Sequence, residues 1–249
     1  MQRERGPGTL DGPGQGTPRG IRRLLGALLI ASVGLTLLSL ALPNITDWPV
    51  LADPGSPGRR LVEVAGEQNL PTWFCVVVLA LAASAHLFTA FAARREKLAD
   101  WRLWVVSALV IAGLSLDDAA SLHEQLEGIG RAAGAGSFPF AWVVPGAVLG
   151  LVVVLALGRL ALRLRGTSRR YLTVGLALFL GAALGIEALN GAILAAQGPS
   201  RWYVVMTHLE ELTEMVGAVL LLGSALTALA IRTTPDGGWL VRYGAVPVV

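Results

Sequence analysis

The sequence contains a single cysteine, Cys75, and few charged side chains for its length. One cysteine excludes an internal disulfide bond and any metal site built from several thiolates. Charged residues make up only 15% of the 249 positions, whereas hydrophobic residues make up 54% and the mean hydropathy is +0.62. This composition is too apolar for an ordinary soluble domain and is typical of a protein that crosses the bilayer several times.

Long apolar runs are the most prominent feature that the sequence does have. A bilayer core about 30 Å thick is crossed by about 20 helical residues, each of which rises about 1.5 Å. Six runs reach this length, and tryptophan or tyrosine residues lie near their ends, as interfacial aromatics do. We therefore predict an all-α, polytopic bundle of about six transmembrane helices, at approximately 21–42, 72–93, 101–122, 141–162, 171–196 and 202–231.

Basic residues are distributed unevenly between the two sets of connecting segments. Sixteen of the twenty lie in the N-terminal segment, between the second and third helices, between the fourth and fifth, and after the sixth. Because positively charged segments stay in the cytoplasm, both termini are predicted to be cytoplasmic. The protein itself is predicted to lie in the cell membrane, most naturally a bacterial inner membrane. Residues 1–20 are predicted to be a disordered tail, 21–231 the membrane domain and 232–249 a cytoplasmic tail.

The net charge of +3 and the pI near 9.6 come mostly from these arginines. Such a collar attracts anionic lipid headgroups, so the lipid bilayer itself is the predicted partner. No aromatic-interleaved basic motif accompanies the arginines, and nucleic acid is not predicted as a partner. A small-molecule, lipid or protein partner is left open by the sequence.

Acidic side chains interrupt the outer parts of three predicted helices. These are the third, fifth and sixth predicted helices, and the sequence at the end of the third is LDDAASLHE, residues 116–124. No lysine or arginine occurs in the outer half of any of these three helices. An ionised side chain at mid-membrane costs roughly 2.5–3.5 kcal/mol, so a metal ion, shared protons or an aqueous vestibule must offset the charge. The seven carboxylates concerned are Asp117, Asp118, Glu124, Glu187, Glu210, Glu211 and Glu214.

Helical phase predicts how these side chains are arranged. At about 100° per residue, Asp117, Ser121 and Glu124 share one face of the third helix, and His123 points away from Asp117. On the sixth helix, His208 and Glu211 are neighbours at i,i+3. His86 stands alone on the second helix and is predicted to be a hydrogen-bonded packing residue outside the site.

Carboxylates and an imidazole on facing helices are ligand types that bind zinc, or a harder or redox-active metal when most of the ligands are carboxylates. Water polarised by such a metal, with a spare glutamate as general base, would support hydrolysis of a lipid or another membrane-associated substrate; redox chemistry is the other option. The predicted ligands of a divalent metal ion are Asp117, Glu187, His208, Glu211 and Glu214, with Asp117 and Glu214 also candidate catalytic groups. The residues predicted around them or at the mouth are His123, Glu124, Ser121 and Asn190.

Two other classes of function stay open. Intramembrane acids and histidines also act as proton relays or cation sites in transporters, although here the acids are confined to the outer half. A structural or assembly protein without catalytic activity could use the same layer for specificity alone. An enzyme should hold a metal, a transporter should show proton- or cation-dependent flux, and a scaffold should show neither.

Two stretches, LDDAASLHE and HLEELTEMVG, resemble parts of uncharacterised bacterial polytopic membrane proteins. Those proteins have an L-D-[DE]-A-x-x-x-H-E stretch and a later acidic helix, and the resemblance covers most of the helical region. It implies that the two stretches belong to one site. It implies no particular activity or substrate.

Overall fold

Six long helices form a bundle in the computed structural model, which describes residues 19–136, 138–233 and 237–244. The long helices are α1 (Arg19–Ile45), α2 (Leu70–Arg95), α3 (Trp101–Ala120), α4 (Val143–Arg163), α5 (Gly166–Gln197) and α6 (Arg201–Thr227). Short connections of a few residues join α2 to α3, α4 to α5 and α5 to α6, so these neighbours run antiparallel.

Five of these helices, α1 to α5, are long and apolar enough to cross a membrane. Helix α6 has 27 residues, but every 18-residue stretch of it contains Glu210, Glu211 and Glu214. The predicted class, an all-helical bundle compatible with the membrane, is confirmed. Helix α6 thus differs from the others because it carries Glu210, Glu211 and Glu214. We call these residues, together with the acids at the ends of α3 and α5 on the same side of the bundle, the acidic layer.

Short elements occupy the two longer connections of the bundle. Between α1 and α2 lie the helices Pro49–Ala52 and Pro57–Val62. Between α3 and α4 the chain forms a 3₁₀ turn at His123–Leu126, an α turn at Glu127–Gly130 and a π turn at Arg131–Ala135. Both connections lie at the same end of the bundle, beside the acidic ends of α3, α5 and α6.

The C-terminal region departs from the prediction. Helix α6 ends at Thr227, and Leu229–Thr233 (β1) pairs antiparallel with Trp239–Tyr243 (β2), where the apolar run predicts a helix to residue 231 followed by a tail. The intervening Pro-Asp-Gly-Gly sequence is typical of a turn, and Gly237 adopts a φ of 82° that favours glycine. The predicted tail residues 1–18 and 245–249 lie outside the described residues.

Side chains fix the ends of the helices that border the acidic layer. The Asn69 carboxamide oxygen accepts the backbone N–H of Thr72 at 3.0 Å, and the Ser200 hydroxyl accepts that of Tyr203 at 3.3 Å. Helix α3 stops at Ser121, whose φ of 47° is left-handed. The next residues therefore turn back over the helix end.

Helix α6 packs against α1, α2 and α5 at the centre of the bundle. Its closest approach is to α5, where Gly175 faces Gly217: a Cβ added at Gly217 would lie 2.8 Å from the Phe179 amide nitrogen and 2.9 Å from the Gly175 carbonyl oxygen. Small residues at helix interfaces let backbones approach this closely. The position of α6 therefore depends on glycine at these two positions.

His86 links three helices, as predicted for a packing residue. Its Nδ1 lies 2.8 Å from the Ser107 hydroxyl of α3, and its Nε2 lies 3.0 Å from the Ser224 hydroxyl of α6. The ring also packs against Trp104, with centroids 5.0 Å apart. Both ring nitrogens thus have partners in the buried core, far from the acidic layer.

The hairpin and most of the arginines mark the opposite end of the bundle. Tyr243 accepts a hydrogen bond from the Trp104 indole at 3.2 Å, and its backbone N–H donates to Glu96 at 3.0 Å. The guanidinium groups of Arg94 and Arg102 lie over the Trp101 ring at the same end. The bundle is therefore polarised, with basic side chains at one end and carboxylates at the other.

Replacing Gly217 with alanine should destabilise the bundle, because the new methyl group would press on backbone atoms of α5 that cannot move independently. Overpacking of this kind costs about 1–3 kcal/mol. Thermal unfolding of the detergent-purified protein should show a lower midpoint for Gly217→Ala. The control is Gly113→Ala, where the added Cβ meets no atom within 4 Å; equal midpoints for both variants would contradict the packing argument.

The polarity of the bundle predicts which end faces out of the cytoplasm. In a Cys75→Ala background, a cysteine introduced at Ala132 should react with a membrane-impermeant maleimide in intact cells, because this residue lies at the carboxylate end. A cysteine introduced at Thr167, at the arginine-rich end, should react only after lysis. The reverse labelling pattern would show that the topology is opposite to the one predicted.

Candidate functional site

A cavity of about 480 Å³ lies at the carboxylate end of the bundle. It is bordered by α3, α5, α6 and the two long connections, and His123 is the one histidine on its wall. Among the residues that the structure describes, no lysine or arginine lines it. Nine carboxylate side chains do, and they are Glu67, Asp117, Asp118, Glu124, Glu127, Glu187, Glu210, Glu211 and Glu214.

Asn190 and Glu210 form the most enclosed polar contact of the cavity. The Asn190 amide group donates to the Thr207 hydroxyl at 2.8 Å and to the Glu210 carboxylate at 3.0 Å. Asn190 is only 2% exposed, yet its carbonyl oxygen has no hydrogen-bond partner in the described part of the chain. Buried acceptors in native proteins almost always have a partner, so this oxygen is a natural contact point for a bound ion or an ordered water molecule.

Glu187 lies next to this pair. Its carboxyl group is within hydrogen-bonding reach of that of Glu210 and also accepts the Trp142 indole N–H at 2.9 Å. Two carboxylates at such a separation do not both stay ionised unless a cation lies nearby. A shared proton, a bound cation or cavity water therefore has to offset the charge where α5 meets α6.

A local change of helix geometry positions Glu187 and Asn190. Between Gly166–Leu180 and Glu187–Gln197, α5 contains the π-helical segment Gly181–Ile186. Single-turn π segments inside α-helices occur frequently at functional sites. Here the segment ends immediately before the first cavity acid of the helix.

Glu211 and Glu214 of α6 also line the cavity, as does Asp118 of α3. One oxygen of Asp118 is buried and has no hydrogen-bond partner within the described residues. Cys75 lies on α2 in the apolar core and does not line the cavity. Among the acids of α6, Glu210 is the one bonded to α5, through Asn190.

His123 lies against Asp117, contrary to the prediction from helical phase. Because α3 ends at Ser121, the chain folds back, and the His123 backbone N–H donates to one Asp117 oxygen at 2.8 Å. The His123 Nδ1 lies 3.3 Å from the other oxygen. The predicted face shared by Asp117, Ser121 and Glu124 does not exist for the same reason, and Ser121 instead donates to Glu67 at 3.1 Å.

Trp142 connects the segment before α4 to the cavity wall. Its ring packs on that of His123 with centroids 4.6 Å apart, while its indole N–H is bonded to Glu187. Its backbone N–H donates to Glu127 at 2.9 Å, and Glu127 also pairs with Arg131. Asp117 of α3 and Glu187 of α5 thus attach the connection between α3 and α4 to the cavity wall, and Glu127 closes it internally.

His208 faces away from the cavity. Its Nδ1 lies 2.8 Å from the Val204 carbonyl oxygen, and its Nε2 lies 3.1 Å from the Ser39 hydroxyl of α1. Ser39 also contacts Glu63, and Glu63 pairs with the buried Arg59. The predicted pairing of His208 with Glu211 in one ligand set is therefore not present, and His208 instead helps to hold the connection between α1 and α2.

The structure brings most of the predicted site residues to one cavity. Ser121 and His208 are the two that do not line it. The predicted residues on its wall are Asp117, Glu187, Glu211, Glu214, His123, Glu124 and Asn190. Sequence reasoning gave no site role to the wall residues Glu67, Glu127, Trp142, Tyr203 and Thr207, although Thr207 could have been suggested because it lies one helical turn before Glu211.

The carboxylates surround the cavity without forming a closed coordination sphere. Within the described residues, no three histidine, cysteine, aspartate or glutamate side chains converge closely enough to hold a metal ion by themselves. A cation bound in this arrangement would complete its shell with water or with the Asn190 oxygen. The chemistry that the wall supports best is the binding of a positively charged group.

The profile of a protein family described as Domain of unknown function (DUF8692) matches residues 23–229, which is most of the chain. The chain belongs to this family. The matched region of the DUF8692 family includes α2 to α6 in full, α1 from Arg23 onwards and every cavity residue named above. No curated protein and no solved structure matches the chain.

The contact between Asp117 and His123 makes the pKa of His123 sensitive to that carboxylate. Burial lowers this pKa, but the hydrogen bond and charge of Asp117, together with the charges of Glu187 and Glu67, outweigh burial and raise it above 6.5. The stabilisation from a raised histidine pKa is complete below 6.5 and disappears as the pH rises through the folded-state value.

In metal-free protein, Asp117→Asn should therefore lower the His123 pKa, as measured by NMR titration of the imidazole, and should weaken the extra stability at acidic pH. Glu124→Gln removes a neighbouring charge on the cavity wall without removing the hydrogen bond, so it should lower the pKa less. An unchanged His123 pKa in Asp117→Asn would contradict the contact.

Proposed function

We propose that this membrane-embedded protein binds a divalent metal ion in the carboxylate-lined cavity and uses it in hydrolytic or redox chemistry at the outer face of the bilayer. The buried, unpartnered carbonyl oxygen of Asn190 beside the Glu187 and Glu210 carboxyl groups is the observation that carries this proposal. All three groups line one cavity and present oxygen acceptors to it.

The free-energy cost of this arrangement supports a cation. A buried acceptor without a partner costs about 1–3 kcal/mol, and adjacent carboxylates repel each other in a low-dielectric setting. A divalent ion would offset both costs at once. Lysine or arginine could do the same, but neither lines the described part of the cavity.

The size of the cavity favours an ion that keeps part of its water. A water molecule occupies about 30 Å³ in the liquid, so about 480 Å³ holds an ion with several waters. Ions that are bound by one or two carboxylates and several waters leave positions at which a substrate oxygen can bind. An ion that keeps several waters suits a site without three converging acidic or histidine ligands among the described residues.

The proposed ligand set differs from the predicted one. Glu187, Glu210 and Asn190 provide the oxygens at the α5 and α6 interface, and Glu211 and Glu214 add carboxyl groups elsewhere on the cavity wall. Asp117 is assigned to orient His123, since both of its oxygens already have partners. His208 is left out.

We prefer a metal ion that stays bound in the cavity to an ion or proton that is transported through the bundle. Beyond Glu214, towards the arginine-rich end, the interior contains fully buried apolar side chains such as Leu79, Ile111 and Leu221. The described core there holds the titratable His86, whose ring nitrogens already bond to Ser107 and Ser224, and this one group does not form the chain of titratable side chains that a proton or cation pathway would need.

The proposal is tested by metal binding to full-length protein. Detergent-purified protein, stripped with a chelator, should bind Mn²⁺ at near-stoichiometric levels, as measured by equilibrium dialysis and mass spectrometry. The double variant Glu187→Gln, Glu210→Gln should weaken binding by more than the 10–100-fold that the loss of an outer partner typically costs.

The matched control is Asp53→Asn, which changes an exposed carboxylate outside the cavity and should bind Mn²⁺ like the natural chain. Thermal unfolding would verify that the double variant is folded. Failure of the natural chain to bind Mn²⁺, or equal binding by the double variant, would refute the proposed site.

A further inference from the structure

The cavity at the carboxylate end is elongated along α6. Five residues of this helix line it, and they are Tyr203, Thr207, Glu210, Glu211 and Glu214. Their spacing, i, i+4, i+7, i+8 and i+11, places them on one face of the helix. Because each helical residue rises about 1.5 Å, the backbone positions of Tyr203 and Glu214 lie roughly 16 Å apart along the helix axis.

Helix α5 lines the cavity over a similar stretch. Its wall residues are Phe179, Ala183, Glu187 and Asn190. Asn190 is bonded to Thr207 towards the outer end, whereas Phe179 is level with Gly217 at the inner end, where an added Cβ would lie 2.9 Å from the Phe179 Cβ. Carboxyl groups therefore occur at several depths between an open outer end and an apolar inner end.

One metal ion cannot serve carboxyl groups at all of these depths. Within the described residues, no three acidic or histidine side chains converge on one point. An ion at Glu187 and Glu210 therefore leaves the other acids of the wall, among them Glu214, without a cation. Positive charge that is distributed along the cavity suits this arrangement better than a second point charge.

Two buried oxygens on the wall show which kind of positive group fits. The Asn190 carbonyl oxygen, in a side chain that is 2% exposed, and one oxygen of Asp118 have no hydrogen-bond donor among the described residues. The proposed metal site uses the Asn190 oxygen and leaves that of Asp118 without a partner. A primary ammonium group brings three N–H donors, whereas a quaternary ammonium group brings none.

Apolar and aromatic side chains occupy the wall between the acids. They include Leu114, Phe140, Phe179 and Tyr203. Aromatic rings attract ammonium groups, and apolar walls with a small number of polar groups are typical of sites for small organic molecules. The wall therefore offers contacts to an alkyl chain as well as to its charged groups.

We infer that the cavity binds a linear organic polycation, in which alkyl segments separate two or more primary ammonium groups. The ammonium groups pair with carboxyl groups at successive depths, and the alkyl segments pack on the apolar wall. The inference rests on the proposed function, because it names the class of substrate that is held beside the metal at Glu187 and Glu210.

Isothermal titration calorimetry of full-length, detergent-purified and chelator-stripped protein tests the inference, with spermidine as the probe. Spermidine should bind, and n-butylamine, which has a single ammonium group, should bind at least about tenfold more weakly because it forms fewer charged hydrogen bonds. Tetramethylammonium, which has no N–H donor, should bind more weakly than n-butylamine.

Glu214→Gln separates the polycation from the metal, because Glu214 is not one of the proposed metal ligands. This variant should weaken spermidine binding about tenfold and should weaken Mn²⁺ binding less. The matched control, Asp53→Asn, changes an exposed carboxylate outside the cavity and should leave both affinities unchanged. Mn²⁺-loaded protein should still bind spermidine, since substrate and metal have to be bound together.

The outcomes distinguish this inference from the proposed function. Equal affinity for spermidine and n-butylamine, unchanged spermidine binding in Glu214→Gln, or displacement of spermidine by saturating Mn²⁺ would overturn the inference. Absence of spermidine binding alongside near-stoichiometric Mn²⁺ binding would also overturn it and leave the metal site standing. Spermidine binding without Mn²⁺ binding would refute the proposed function instead.

Discussion

Mutual repulsion among carboxylates is the constraint on which the site end of this molecule depends. Nine acids line one cavity, and the described residues place no lysine or arginine among them. Several of the nine are held by nitrogen groups: a backbone amide and an imidazole for Asp117, an indole for Glu187 and a carboxamide for Glu210. These donors orient the acids but do not neutralise them, so any charge that the acids carry has to be offset by a cation, by protons or by water in the cavity.

Helix α6 combines two tasks that place opposite demands on its sequence. Its second half packs in the centre of the bundle, with glycine at Gly217 and hydroxyl contacts to His86 through Ser224. Its first half presents acids to the cavity, which makes it too polar to resemble the other five helices. The acids of the first half contribute little favourable packing themselves. The tight packing of the second half therefore holds the first half in place.

Periodicity and charge predicted the parts of the structure that depend on one helix at a time. The six long segments and the convergence of Glu187, Asn190, Glu211 and Glu214 follow from apolar runs and from depth along each helix. The position of His123 could not be predicted, because it depends on a left-handed residue at Ser121 that ends α3 early. Neither could the orientation of His208, since a Ser39 hydroxyl 169 residues earlier in the chain determines it.

The π-helical segment of α5 has a consequence for how the protein can vary. One extra residue in a helical turn rotates everything beyond it by about 100° relative to an uninterrupted α-helix. The half of α5 that contains Gly175 and the half that contains Glu187 are therefore in separate angular registers. Substitutions that repack the half containing Gly175 against α6 can therefore leave the direction of Glu187 towards the cavity unchanged.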